Sequence, residues 1–216
     1  INTLNTLQSI LIMITPLKTG LKYFVRTYIK PFLPSQLYSS LHSTYHFKSK
    51  LRKKKKEITL RDNFLTHPQI HIDLPARQEM LAQIDHINHH VDCPHTLDQI
   101  LGYITHILCL PNESEGVIVE AGCFKGGSSS KFSLAACQMK RSLVIFDSFQ
   151  GIPDNEEDHD VNIFGGAVGF AQGDYCGSLA DVRDNITRYG VIESCEFIPG
   201  WFDDTLPQYQ QEIESE

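Results

Sequence analysis

Residues 117–130 read Val-Ile-Val-Glu-Ala-Gly-Cys-Phe-Lys-Gly-Gly-Ser-Ser-Ser, and this stretch limits the chain's folding choices more than any other. A β-branched apolar run passes an acidic residue, enters a glycine-rich bend and leaves through serines into Lys131-Phe132-Ser133-Leu134-Ala135-Ala136-Cys137. Strand, turn and helix N-terminus in that order make the first half of a nucleotide-binding βαβ unit. Glycines let a backbone come close to a ligand, and the unpaired N–H groups of a helix start favour an anion. The spacing Glu120-x-Gly122-x-x-x-Gly126-Gly127 departs from the GxGxxG of dehydrogenases, which disfavours a nicotinamide-dependent oxidoreductase. Taken alone, the glycines also fit a tight βα turn that meets no ligand.

The rest of the chain extends the pattern. Residues 143–147, Leu-Val-Ile-Phe-Asp, form a short apolar run closed by an acid, as in a buried parallel strand. Asp147 follows Glu120 by about one βαβ unit, where dinucleotide folds bind ribose hydroxyls. Residues 195–200 read as a third strand, leading into Trp201-Phe202-Asp203-Asp204. Before the turn, Pro75 opens one helix, and Thr96-Leu97-Asp98-Gln99 fits a capping start to another. Ser178 starts a helix closed by Gly190. Residues 151–175, rich in glycine and acidic at first, are expected to be a lid over a substrate. The predicted fold is α/β, a doubly wound parallel sheet preceded by a helical N-terminal extension.

Charge divides the chain. Residues 1–56 carry 11 of the 19 Lys and Arg and no acid, which leaves 8 basic against 26 acidic residues, a formal −18, over 57–216. The expected organisation is a basic helical extension and linker over 1–56, then an acidic globular body over 57–216. Apolar stripes such as Leu4, Leu7, Leu11 and Ile14 predict helices before Pro31, and the run Lys50 to Lys56 reads as a solvated linker, with contact to anionic lipid, nucleic acid or an acidic partner as the alternative. A non-enzymatic nucleotide-binding or membrane-surface module using this arm is the alternative to an enzyme; no specific nucleic-acid partner is expected. Six cysteines without a CxxC pair predict reduced thiols and a cytoplasmic protein. His86 and His90 share a helical face, but no nearby group completes a metal set, so surface histidines are expected and no metal ligand is assigned. The chain begins without methionine and reads as a C-terminally truncated fragment.

Three blocks together resemble class I S-adenosylmethionine-dependent methyltransferases, and most closely the macrocin O-methyltransferase (TylF-type) family. They are Val119 to Gly127, then Phe146-Asp147-Ser148-Phe149-Gln150-Gly151-Ile152-Pro153, then Tyr189-Gly190 with Pro199-Gly200-Trp201-Phe202-Asp203-Asp204-Thr205-Leu206-Pro207. The resemblance covers about residues 75–216 and implies an incomplete Rossmann-like methyltransferase sheet that transfers a methyl group to a hydroxyl of a sugar-containing or other small natural product. It implies a cofactor site for S-adenosylmethionine built from Glu120, Gly122, Lys125, Gly126, Gly127 and Ser128 at the methionine end. Asp147 and Ser148 would stand at the ribose, and Gly200, Trp201, Phe202 and Asp203 by the adenine. It also implies Mg2+, with its aspartate ligands and the general base expected beyond the end of this chain, so no catalytic residue is assigned. Self-association into a homo-oligomer is a further expectation.

Overall fold

The computed structural model describes residues 35–111, 115–154 and 169–214. The chain divides into two compact units, Ile1–Lys56 and Glu57–Glu216. The helices expected before Pro31 lie outside the described residues, as does most of the expected lid. Helix α1, Ser35–Thr66, contains the whole basic run, which is therefore helical rather than a linker. No Gly or Pro interrupts those 32 residues, and Lys, Arg, Leu and Glu are good helix formers, so propensity carries the helix where amphipathic periodicity is weak. The side chains of Lys50 and of residues 52–56 are exposed, as are Tyr45, Phe47 and Leu51.

After the last turns of α1, the second unit continues with two capped helices. Helix α2, Leu74–His90, begins at Asp73, whose side chain accepts from the Ala76 N–H, with Pro75 in its first turn. Helix α3, Leu97–Leu108, begins with the expected capping box between Thr96 and Gln99. Buried Met80, Leu81, Ile84 and Ile87 of α2 join Ile100, Ile104 and Leu108 of α3 in one core. The connection before α2 is clasped by Arg77. Its guanidinium donates to the carbonyls of Leu65, His67, Ile70 and Ile72 at 2.8–3.0 Å.

Strand β1, Ile118–Ala121, is followed by helix α4, Gly127–Gln138, and strand β2, Leu143–Asp147. Helix α5, Leu179–Tyr189, starts at the Ser178 cap; a short 3-10 turn then leads to strand β3, Cys195–Pro199, and helix α6, Phe202–Glu214. The three strands are parallel in the order β1-β2-β3, with Glu120 beside Ile145 and Ile145 beside Phe197. This is the α/β arrangement read from the sequence. The period of two sorts each strand's side chains. Leu143 and Ile145 belong to the core that includes α4, with Cys195 and Phe197 packed against it. Phe146 points the other way and meets the Tyr209 ring of α6 edge-on, centroids 5.3 Å apart. A parallel sheet buried on both faces needs helices on both sides, and α4 and α6 supply them. The same sorting turns Glu120 of β1 toward α4 while Val119 stays half exposed.

Candidate functional site

The three sequence blocks meet at the carboxyl ends of the three strands, where open α/β sheets bind ligands. Two backbone bonds draw them together: the Gly122 N–H donates to Phe146 O at 2.8 Å, and the Gly200 N–H donates to Asp147 O at 3.0 Å. The Asp147 carboxylate ties the rim further. Oδ2 accepts the Cys123 N–H at 2.6 Å, and Oδ1 accepts the Phe149 N–H at 2.7 Å. One side chain thus fixes the loops after β1 and β2, and the lone pairs left on its oxygens can still accept hydroxyls.

The glycines have separate duties. Gly122 has φ +87°, and a Cβ there would meet nothing within 4 Å, so the backbone is bare at the rim. Gly126 is the N-cap of α4 at φ +78°, a left-handed conformation that side chains resist. Gly127 touches the protein itself, since a Cβ would stand 2.4 Å from Asp92 O. Lys125 is paired with Asp92, its Nζ 2.7 Å from Oδ2, and its carbonyl accepts from Asn185. Ser148 closes a local turn by donating to Gly151 O and accepting the Gln150 N–H. Trp201, Phe202 and Asp203 are exposed beside Gly200, so the two aromatic faces are outside the core.

Glu120 is the buried charge of the site. Burial pushes its carboxyl up to about 7; the hydroxyls of Ser128 and Ser129 oppose that shift, the Asp147 charge adds to it, and the Lys131 charge opposes it. Among the described residues its Oε2 has no hydrogen-bond partner, and neither has Ser129 Oγ or Lys131 Nζ. The neighbouring thiols follow the same logic. Burial drives Cys123 far above its ordinary range and Cys195 up to about 12, with Glu120 adding to both. Both thiols are held toward the protonated form, and all six cysteines are free.

Sequence reasoning misses three members of this neighbourhood. Ser129 belongs to the serine run, but only the fold turns it toward Glu120. Asp92 reads as a turn residue, yet it anchors Lys125 and carries the carbonyl against which Gly127 packs. Lys131 reads as an ordinary helical residue and is wholly buried. Its signal is a lysine in a helix otherwise rich in Ser, Phe, Leu and Ala. Among the described residues no group of three or more His, Cys, Asp or Glu could hold a metal ion. His86 and His90 pack with Tyr189 as a ring cluster, His90 stacked on Tyr189 at 4.9 Å.

Comparison with known proteins gives this geometry a lineage. Mycinamicin III 3''-O-methyltransferase of Micromonospora griseorubida is 35% identical over 103 residues, 43% of this chain and 39% of that protein. Demethyldecarbamoylnovobiocin O-methyltransferase of Streptomyces niveus is 36% identical over 100 residues, 44% of this chain and 38% of that protein. The matched stretch is thus under two fifths of either relative's length. Among solved structures, the O-methyltransferase NovP aligns with a TM-score of 0.35 at 24% identity, over 64% of this chain and 50% of that one. The calicheamicin methyltransferase CalS11 aligns with a TM-score of 0.41 at 17% identity, over 68% and 66%. The family model described as Macrocin-O-methyltransferase (TylF) matches residues 35–214, most of the chain. The chain belongs to the macrocin-O-methyltransferase (TylF) family.

Proposed function

We propose that this chain is the cofactor-binding part of an S-adenosylmethionine-dependent O-methyltransferase that methylates a hydroxyl of a sugar-containing or other small natural product. The observation that carries the reading is the convergence of Gly122, Asp147 and Gly200 on one strand-end rim. The buried polar atoms fit the ligand: among the described residues Glu120 Oε2 and Ser129 Oγ lie without partners beside a helix N-terminus, where a ligand with both ammonium and carboxylate groups finds complementary charge. When bound, the cofactor supplies an electrophilic methyl group on a sulfonium. The chain's own contribution is to grip and orient it. Glu120 faces the amino-acid end, and the first-turn N–H groups of α4 take a carboxylate. Asp147 accepts ribose hydroxyls, and the exposed rings of Trp201 and Phe202 offer apolar surface to a base. The relatives named for O-methylation of mycinamicin III and of demethyldecarbamoylnovobiocin support a natural-product acceptor. Among the described residues no cluster of acidic and imidazole side chains fits Mg2+. Free thiols throughout favour a reducing, cytoplasmic setting.

Titration calorimetry with S-adenosylhomocysteine tests the reading. Asp147→Asn keeps the shape but replaces one acceptor oxygen with a donor. It should weaken binding at least tenfold, about 1.4 kcal/mol. Equal affinity for the wild type and this variant, or no binding by the wild type, would sink the proposal.

The exposed basic side chains along α1 favour one additional property, peripheral contact with an anionic membrane surface. Among the described residues no helix is long and apolar enough to cross a membrane.

A further inference from the structure

Phe124, Phe170 and Tyr175 form an aromatic cluster outside the core, beside the glycine-rich turn. Tyr175 meets Phe124 edge to face, centroids 5.6 Å apart, and meets Phe170 in the same way at 5.7 Å. Despite these contacts Tyr175 stays 48% exposed and Phe170 58%. Phe124 (φ +51°) and Tyr175 (φ +56°) both hold a left-handed backbone that side chains resist, so the structure around them must keep them there. It does so at three points. Ile152 bonds with Gly173 and Asp174, a Cβ at Gly177 would collide with the Phe124 carbonyl oxygen, and the Cys176 thiol donates to Phe149 O at 3.7 Å. Cys123, which precedes Phe124, and Phe149 each give a backbone N–H to the Asp147 carboxylate. The cluster is thus tied through both loops to the rim at the strand ends.

We propose that Tyr175 and Phe170, with Phe124 supporting Tyr175, form the surface on which a neutral pyranose ring of the methyl acceptor stacks. The inference deepens the function proposed above and rests on it for the role of that ligand. Chemistry selects the ligand class. Aromatic faces are negative, so they attract the polarised C–H groups that line one face of a sugar ring. A cationic ligand is disfavoured, because Lys125 Nζ already lies over the Phe124 ring, 5.2 Å from its centroid, and repels a second cation. An anionic one is disfavoured by Asp174, the residue before Tyr175. Asp174 spends Oδ2 on the Ala171 N–H at 2.8 Å and keeps lone pairs that can accept hydroxyls. Open ring faces beside a hydroxyl acceptor match a ligand with an apolar face and a hydroxyl edge. Tyr175 and Phe170 are then specificity-determining residues, apart from those that hold the methyl donor.

Saturation-transfer NMR with methyl α-L-rhamnopyranoside tests this on the full chain, with and without S-adenosylhomocysteine. Irradiating the protein's aromatic protons should carry saturation to the ring C–H protons of the glycoside. Tyr175→Ala should raise the glycoside Kd at least about fivefold, the scale of one lost aromatic contact, and Tyr175→Phe should restore it to within about twofold. Both variants should bind S-adenosylhomocysteine like the wild type, which a general loss of structure would not allow. If Tyr175→Ala fails to fold, Phe170→Ala decides, with a glycoside Kd raised at least about threefold. No transfer in the wild type, or an unchanged Kd in the ring-deleted variant, overturns the proposal. Tighter binding of choline or of glucuronate than of the rhamnoside overturns it too, since the rings would then serve a charged ligand. Glycoside stacking in a chain that takes up no S-adenosylhomocysteine removes the cofactor reading and leaves the sugar surface. Uptake of S-adenosylhomocysteine without glycoside contact removes the sugar surface and leaves the cofactor reading.

Discussion

Asp147 combines two duties that a substitution can separate only in part. Its carboxylate accepts two backbone N–H groups from two loops, so its removal loosens the rim as well as any ribose contact. Glu120 has a different signature, visible in stability. Its folded-state carboxyl titrates near 7 against an ordinary 4.5, so between those values the folded chain binds more protons than the unfolded one. Its contribution is therefore fully present below about pH 4.5 and erodes as pH rises through 7, by at most roughly 3 kcal/mol. Glu120→Gln should flatten that slope. Urea unfolding at pH 5 and pH 8 reads the difference, and an unaltered slope in the variant would refute the burial argument. Asp147 and the glycines are legible in the sequence because acid, glycine and strand end recur at fixed intervals. Lys131 is not, because a lysine in sequence looks solvated, and only the helices packed around α4 show that water cannot reach it.

At the scale of elements, capping residues are the most readable feature. Asp73, Thr96 and Ser178 each accept the backbone N–H that a helix start leaves unpaired. Helix α1 is the least readable, because a lysine run gives no apolar stripe from which to infer a helix. The Arg77 clasp cannot be foreseen either, since its four acceptors are backbone carbonyls that no side-chain pattern announces. It makes the entry to α2 depend on one planar, multi-donor group. Arg77→Lys keeps the charge but not the fork, so several of those carbonyls lose their donor. The expected cost is about 2 kcal/mol of unfolding free energy by chemical denaturation. A loss below about 0.5 kcal/mol, the lower bound for a single hydrogen bond, would show that water replaces the guanidinium freely.

The whole molecule joins a basic arm to an acidic body, and this asymmetry is plain in the composition. Near an anionic bilayer each basic residue contributes about 1 kcal/mol, screened by salt. Sedimentation with phosphatidylserine vesicles should therefore pellet the chain at low ionic strength and release it as salt rises. Replacing Lys53, Lys54, Lys55 and Lys56 together by serine should abolish pelleting at low salt. Equal pelleting of both proteins would remove the arm from the account. The acidic body holds a second division, at Ile152. Its N–H donates to Asp174 O and its carbonyl accepts the Gly173 N–H, both at 2.9 Å, so the chain leaves the rim and returns at one clasp. Loop-closure entropy grows only slowly with length, so a change in the number of residues between Ile152 and Gly173 costs little while the two ends stay clasped. Under the function proposed above, an exchange made between those clasped ends would leave the rim of Gly122, Asp147 and Gly200 in place.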